Sequence, residues 1–209
     1  MVRAALRSGH MAAAARPRTR DRILEAAQSA FASAGYSDTS LDDLAAELGV
    51  TKQAILYHYS SKERLLGAVI DRTAVDLLEV FEREVDFAAI GFERIESVVR
   101  VTFRLAARRP ELLGLLRQVS RLGEPHATAL AAGLGSMMVR ARVFLEREMD
   151  AGRLRRHEPR LLLLSAYSAV IGVAAEPDVM RAMGVEPSLR SLTEARAELT
   201  SFLRDALVV

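Results

Sequence analysis

The chain has 209 residues and a net charge of +2; half of its residues are hydrophobic and 5% are aromatic, with no Trp and no Cys. Without Cys it can form neither a disulfide nor a thiol-ligated metal centre, so we expect a reducing, cytoplasmic location and no cofactor. The longest segments without Asp, Glu, Lys or Arg, 125–139 and 161–175, are shorter than the roughly 20 residues of a membrane-spanning helix, which argues against a membrane partner.

Positive charge is concentrated at the N-terminus. Residues 1–20 contain five Arg and no acidic residue, whereas residues 21–64 contain four basic and seven acidic residues. We therefore predict a disordered basic arm at 1–17, followed by a mildly acidic unit whose affinity for nucleic acid depends on the arm and a few placed cations. The alternative is that the arm is an incidental tail and that translation starts at Met11.

The first two predicted elements are helices joined by a glycine. Helix-spaced apolar residues predict a helix from about Thr19 to Ala34, and Gly35 suits the left-handed position that ends it. A second helix follows, with Ser40 as its N-cap. Asp43 lies three residues further on, an arrangement that resembles a capping box.

A tight turn and a short helix come next. Gly49 gives the backbone the freedom that the turn needs, and Thr51 can cap a helix from Lys52 to about His58. Ser60 and Glu63 then form a Ser-x-x-Glu pattern, which predicts a capping box for a long helix that ends near Val85.

The remainder of the chain is also predicted to be helical, because Gly and Pro separate helix-spaced apolar patterns and no alternating apolar run occurs. The predicted helices are 92–107, 110–121, 126–151, 158–175 and 188–206. We therefore predict an all-α protein. A three-helix DNA-binding domain occupies 18–64, with a helix-turn-helix motif at 40–59, and a helical ligand-binding and dimerisation domain occupies 65–209.

The residue types around the short helix suit DNA recognition. A hydroxyl, a cation and free backbone amides at its N-terminus favour a phosphate, and Gln53 can pair with adenine through two hydrogen bonds. Ala54 permits close approach, and Tyr57 lies one turn further on. The predicted DNA-binding residues are Thr39, Thr51, Lys52, Gln53, Ala54, Tyr57, His58 and Lys62. Only two residues of the chain are Lys, and both belong to this set.

The run from Thr19 to Ile70 resembles the DNA-binding domain of the tetracycline-repressor (TetR) family of bacterial regulators. The resemblance covers about a quarter of the chain, and its most specific parts are Phe31-x-x-x-Gly35-Tyr36, Leu48-Gly49-Val50-Thr51-Lys52 and His58-Tyr59-x-Ser61-Lys62-Glu63. It implies a homodimer on a palindromic double-stranded operator, an all-helical C-terminal ligand domain, and repression that a small-molecule effector relieves.

One position departs from the family pattern. Aligned on His58, Leu56 stands where the family commonly has a Tyr that contacts a phosphate, and Tyr57 is its neighbour, rotated by about 100° on the helix. Either Tyr57 makes the phosphate contact from a different angle, or the contact is lost.

The C-terminal helices suggest a dimer interface and a ligand cavity. The segment 158–175 is apolar nearly all round and needs cover on every side, so this segment and 188–206 are the predicted dimerisation helices. The alternative is burial within one subunit. The predicted ligand-binding residues are Arg100, Phe103, Arg104, Arg117, Met137, Met138, Phe144 and Tyr167. The arginines suggest an acidic or acyl ligand, although a solvated helix face explains them equally well.

The sequence thus predicts a homodimeric transcriptional regulator, specifically a repressor released from its operator by a small molecule, and not an enzyme. Two alternatives remain at this point. One is a DNA binder without sequence preference, which the acidic balance of 21–64 disfavours. The other is a helical carrier or enzyme for small molecules, for which the sequence offers no nucleophile motif, metal-ligand spacing or Gly-rich phosphate loop.

Overall fold

The structure, a computed structural model, describes residues 19–174 and 176–209, so the predicted basic arm lies outside the described residues. Within these ranges the chain forms helices joined by short connections, and its only β contact is an isolated bridge between Leu154 and Val208. The prediction of an all-α fold is confirmed. The helices are α1 (Thr19–Ser33), α2 (Leu41–Leu48), α3 (Lys52–His58), α4 (Lys62–Glu84), α5 (Gly91–Arg108), α6 (Pro110–Leu122), α7 (His126–Gly133), α8 (Gly135–Asp150), α9 (Pro159–Ala174), α10 (Pro177–Ala182) and α11 (Leu189–Leu207).

One prediction about the C-terminal helices is corrected, and one short helix was missed. The predicted helix 126–151 is two helices, α7 and α8, which break at Leu134 and bend by 62°. At this break Gly133 lies against α4 so closely that a Cβ atom at Gly133 would be 2.7 Å from the Cβ atom of Ala74. The short helix α10 was not predicted.

The main hydrophobic core crosses the domain boundary predicted at residues 64 and 65. Ile23 and Phe31 of α1 belong to the same buried cluster as Leu65 of α4 and Leu112 of α6, and Leu130 of α7 joins it. Burial of large apolar side chains is the main favourable contribution to folding. The helix-turn-helix unit is therefore held to the rest of the chain by a continuous core.

A second core joins α5, α8, α9 and α11, and it encloses a carboxylate. Glu148 of α8 is fully buried and accepts hydrogen bonds from the Gly91 amide at 2.9 Å and from the guanidinium groups of Arg153 and Arg147. The bond from Arg153, with those from Gly91 and Arg147, lowers the pKa of Glu148 to about 2, although burial opposes this shift. Glu148 thus fixes the start of α5 to the end of α8.

No single helix among the described residues is both long enough and apolar enough to cross a membrane. Helices α7 and α8 reach that length and composition only when they are taken together, across their 62° bend. Helix α9 is apolar but has 16 residues.

We expect Glu148→Gln to lower the free energy of unfolding at pH 7 by roughly 2–3 kcal/mol, because one accepting oxygen becomes an NH₂ group that cannot accept a hydrogen bond and the other becomes a neutral acceptor. The folded pKa of about 2 lies below the ordinary value of 4.5. The stabilisation is therefore fully present above pH 4.5 and is lost as the pH falls towards 2. Urea unfolding at pH 7 and pH 4, at one protein concentration, measures both effects. Glu198→Gln, at an exposed position of α11, is the control, and an equal loss in both variants at pH 7 contradicts the role of Glu148.

Candidate nucleic-acid interface

Side-chain caps define both helices of the helix-turn-helix motif. The Ser40 hydroxyl accepts from the Asp43 amide at 3.0 Å and the Asp43 carboxylate accepts from the Ser40 amide, so the predicted capping box is present. These bonds from Ser40 lower the pKa of Asp43. Gly49 ends α2 in the left-handed conformation, with φ of 66°, and the Thr51 hydroxyl accepts from the Ala54 amide at 3.1 Å to begin α3. The predicted turn and the limits of α3 are therefore confirmed.

Helix α3 has one buried face and one exposed face. Ile55 is fully buried and Leu56 packs against the main core, which holds the helix in place. Gln53 is exposed, and Tyr57 is 86% exposed, with its ring edge-on to that of His58 at 5.3 Å. Leu56 therefore packs in the core, while the side chain of Tyr57 is exposed to solvent.

The two lysines near α3 each contact other parts of the unit. The Lys52 ammonium lies 2.8 Å from a carboxylate oxygen of Asp42 in α2. The Lys62 ammonium donates to the Ser37 carbonyl at 3.4 Å and lies 4.2 Å from the centre of the Tyr36 ring. Both cations are thus positioned by contacts within the protein.

Most of the predicted DNA-binding residues reach the surface, and Thr39 is the exception. Thr51, Lys52, Gln53 and Tyr57 are exposed, and Ala54, His58 and Lys62 are partly exposed. Thr39 is 5% exposed, and its hydroxyl donates to the Gly35 carbonyl at 2.8 Å and lies 3.4 Å from the Ala30 carbonyl in the last turn of α1, so it holds the connection between α1 and α2. The DNA contacts themselves stay predictions, and the geometry of Thr39 does not favour one through its hydroxyl.

The predicted Ser60–Glu63 capping box of α4 is wrong, because the cap is one residue further on. The Ser61 hydroxyl accepts from the Arg64 amide at 3.1 Å, and Ser61 itself is extended. The Ser-x-x-Glu pattern pointed to Ser60, but the adjacent Ser61 has the same side chain and is the residue that caps α4. Glu63 is thereby free of the cap and makes a different set of contacts.

Glu63 joins the DNA-binding end of the molecule to α7. One of its carboxylate oxygens accepts from the Tyr36 hydroxyl at 2.9 Å, and the other lies 3.2 Å from Nε2 of His126, the first residue of α7. Burial, the hydrogen bond to Glu63 and the negative charge of Glu63 raise the pKa of Tyr36 to about 12. No local sequence pattern indicates this link, because Glu63 and His126 lie 63 positions apart in the chain.

Polar contacts also cross the junction between α1, α4 and α6. Gln28 of α1 donates to the hydroxyl of Thr73 in α4 at 3.2 Å, and both side chains are buried. Asp76, also buried, pairs with Arg72 at 2.8 Å and with Arg109 at 3.3 Å. These groups lie beside a polar cavity of about 320 Å³. The junction therefore has specific geometry in addition to apolar packing.

The aromatic and Met residues predicted to bind a ligand lie in different parts of the described structure. Phe103 and Phe144 are buried in the second core, whereas Met137 packs against the main core. Met138 and Tyr167 are exposed, and the Tyr167 hydroxyl lies 3.4 Å from that of Ser120. The larger cavity described, an open groove of about 510 Å³ on α4, is lined by Val75, Leu78, Glu79, Glu82 and Arg83.

The predicted arginine ligands are similarly dispersed. Arg100 is exposed, Arg104 pairs with Glu84 at 2.9 Å, and Arg117 pairs with Glu176 at 2.6 Å. Two of the three therefore form ion pairs with residues of other segments of the chain. Ligand binding by any of these eight residues stays a prediction, and none of them lines the cavities of about 510 and 320 Å³.

A capped helix-turn-helix with an exposed second helix defines the chain as a helix-turn-helix DNA-binding protein. Residues 23–69 match the family model described as bacterial regulatory proteins, tetR family. Residues 23–69 therefore form a DNA-binding domain of the tetR family, as the sequence resemblance predicts.

Known proteins of similar sequence are named as transcriptional regulators. The chain is 35% identical over 94 residues to the HTH-type transcriptional regulator SrpR of Pseudomonas putida. That match covers 44% of this chain and 41% of SrpR, so the chain spans less than half the length of this relative.

Solved structures share the fold over nearly the whole chain. A transcriptional regulator from Saccharomonospora viridis, solved in complex with choline, has a TM-score of 0.75 and 20% identity and covers 91% of this chain and 97% of its own. AibR, solved with isovaleryl coenzyme A and operator DNA, has a TM-score of 0.72 and 20% identity and covers 88% and 96%. At this identity the likeness establishes the fold, including the helical C-terminal part.

We expect Ser61→Ala to lower the free energy of unfolding by about 1 kcal/mol, because the Arg64 amide loses its acceptor at the start of α4. The adjacent exposed Ser60 provides a matched control, and Ser60→Ala should change stability by less than about 0.5 kcal/mol. Urea unfolding of both variants at pH 7 distinguishes the two positions. A larger loss for Ser60→Ala would restore the cap predicted from the sequence.

Proposed function

We propose that the chain is a homodimeric transcriptional repressor that binds a palindromic operator and is released from it by a small-molecule effector. The observation that carries the proposal is the two-sided helix α3, which buries Ile55 and exposes Gln53 and Tyr57. A recognition helix needs this arrangement, because one face must fix it to the domain while the other enters the major groove.

The proposed DNA contacts are of two kinds: contacts to phosphates, which position α3, and contacts to base edges, which read the sequence. Thr51 and Lys52 at the start of α3, with Lys62 and the Tyr57 hydroxyl, are proposed to contact phosphates and fix the register of the helix. Gln53 is proposed to read a base edge, with Ala54 allowing close approach. In this proposal Tyr57 replaces the Tyr that the family has one position earlier.

A second copy of the chain is the proposed partner of α9 and α11. These two helices pack against each other, and both expose large apolar side chains. Large apolar side chains that are exposed to water favour association with another surface. The exposed side chains are Leu161, Leu164, Leu189 and Phe202. A two-fold dimer would present two α3 helices, which must reach successive major grooves roughly 34 Å apart.

Helix α4 is the proposed lever between effector and operator. Its 23 residues extend about 34 Å, from the Ser61 cap beside α3 to ion pairs of Glu82 with Arg140 and of Glu84 with Arg104. An effector that prefers a different packing of the C-terminal helices would tilt α4 and change the separation of the α3 helices. The choline and isovaleryl coenzyme A complexes of similarly folded proteins support a small molecule as the signal.

Selection of host genomic fragments by the purified full chain, followed by footprinting, tests the function. We expect two protected half-sites centred roughly one helical turn of DNA, or a multiple of it, apart. Tyr57→Phe should weaken binding to the selected fragment about 3- to 10-fold, because one hydrogen bond to a phosphate is lost. Anisotropy titrations at one salt concentration measure the affinity.

The control for this experiment is Tyr167→Phe, which removes a phenol hydroxyl from α9, outside the helix-turn-helix. It should leave the affinity for the selected fragment unchanged. Failure to enrich any fragment refutes the proposed function. Unchanged affinity of Tyr57→Phe refutes the phosphate contact alone.

We expect Leu164→Glu to convert a dimer into a monomer at micromolar concentration. The side chain is 59% exposed on α9, and a carboxylate buried without a partner in an interface costs roughly 2–4 kcal/mol or more. Sedimentation velocity gives the mass directly. Val139→Glu, at a 56% exposed apolar position of α8, should remain dimeric. A wild-type monomer, or a Leu164→Glu dimer, contradicts the proposed interface.

A further inference from the structure

An acidic side chain lies within contact distance of the cation at the start of the recognition helix. Asp42, the second residue of α2, places a carboxylate oxygen 2.8 Å from the Lys52 ammonium, the first side chain of α3. Both side chains are accessible, with 67% of Asp42 and 44% of Lys52 exposed. The pair therefore lies at the surface and joins the two helices across the turn.

The capping structure of α2 has no need of this carboxylate. The Ser40 cap is completed by Asp43, whose carboxylate accepts from the Ser40 amide and hydroxyl. Asp42 contributes only the small benefit of an acidic residue in a first turn. A stabilising role thus leaves unexplained why it lies beside the one cation at the N-terminus of α3.

The pair affects how Lys52 meets a phosphate. An unpaired lysine is a mobile point charge that follows a phosphate in almost any docking register. Paired with Asp42, the ammonium is restrained near the carboxylate and part of its charge is offset. The Lys52 ammonium then contributes fully to binding only when a phosphate lies directly beside its restrained position. That occurs in the docking register that the base contacts also select.

We propose that Asp42 is a specificity-determining residue, which lowers the affinity for DNA of arbitrary sequence by restraining Lys52. The inference rests on the proposed DNA-binding function and adds to it. Binding without sequence preference depends on phosphate neutralisation, and specificity is a difference between two affinities. Asp42 therefore increases discrimination by weakening the wrong complexes more than the right one.

The test compares Asp42→Asn with Glu47→Gln on a scrambled-sequence duplex of about 25 base pairs and on the selected genomic fragment. Glu47 is exposed on the same helix, and its variant changes the net charge equally. We expect Asp42→Asn to bind the scrambled duplex about 3- to 10-fold more tightly than Glu47→Gln at 50 mM salt. The slope of log K against log salt should steepen by up to about one. Affinity for the selected fragment should change less than about 2-fold relative to Glu47→Gln.

A second background shows whether the effect acts through Lys52. In Lys52→Gln protein, Asp42→Asn and Glu47→Gln should bind the scrambled duplex equally, because the restrained cation is absent. The inference is overturned if Asp42→Asn and Glu47→Gln bind the scrambled duplex equally when Lys52 is intact. It is also overturned if a difference between them persists when Lys52 is replaced by Gln. A wild-type protein that does not discriminate between the two DNAs counts against the proposed function, whereas discrimination with equal single variants counts against Asp42 alone.

Discussion

The continuous core between the helix-turn-helix and the C-terminal helices constrains every other feature of the molecule. Phe31 of α1 and Ile55 of α3 are buried in the same cluster as Leu66 of α4 and Leu115 of α6. Protein interiors are close-packed, so such a cluster cannot be sheared gradually and changes by discrete repacking. The recognition helix α3 therefore cannot reorient independently, because its position follows that of α4 and α6.

The DNA-facing end of the molecule has no excess of positive charge among residues 21–64. The unit from 21 to 64 carries more acidic than basic residues, and both of its lysines contact neighbouring groups. A surface of this kind gains little from phosphate attraction alone and leaves more of the recognition to geometry and base contacts. It is consistent with a regulator that must leave most of a genome unoccupied.

The N-terminal elements were predictable because their signals are local. Ser40, Gly49 and Thr51 act within four residues of their own position, so sequence alone located α2 and α3. The cap of α4 was misplaced because Ser60 and Ser61 offer the same chemistry one residue apart. The break follows Gly133, which lies against Ala74, 59 residues away, and no local pattern records that contact.

The candidate DNA site was predictable for the same reason, and the ligand site was not. Exposure of Gln53 and Tyr57 follows from helical spacing around the buried Ile55. By contrast, Arg104 and Arg117 find partners in Glu84 and Glu176, on segments that only the tertiary fold brings near. Sequence alone does not distinguish an arginine that binds a ligand from one that pairs with a carboxylate of the protein.

The carboxylate of Glu63, held between Tyr36 and His126, has a thermodynamic consequence. It contacts two separate parts of the chain, because Tyr36 precedes the helix-turn-helix and His126 begins α7. If an effector weakens operator binding by displacing α7 from this carboxylate, then operator DNA must weaken effector binding by the same factor. Free protein would then be the better receptor for the signal, and occupied operators would set a threshold that the signal has to exceed.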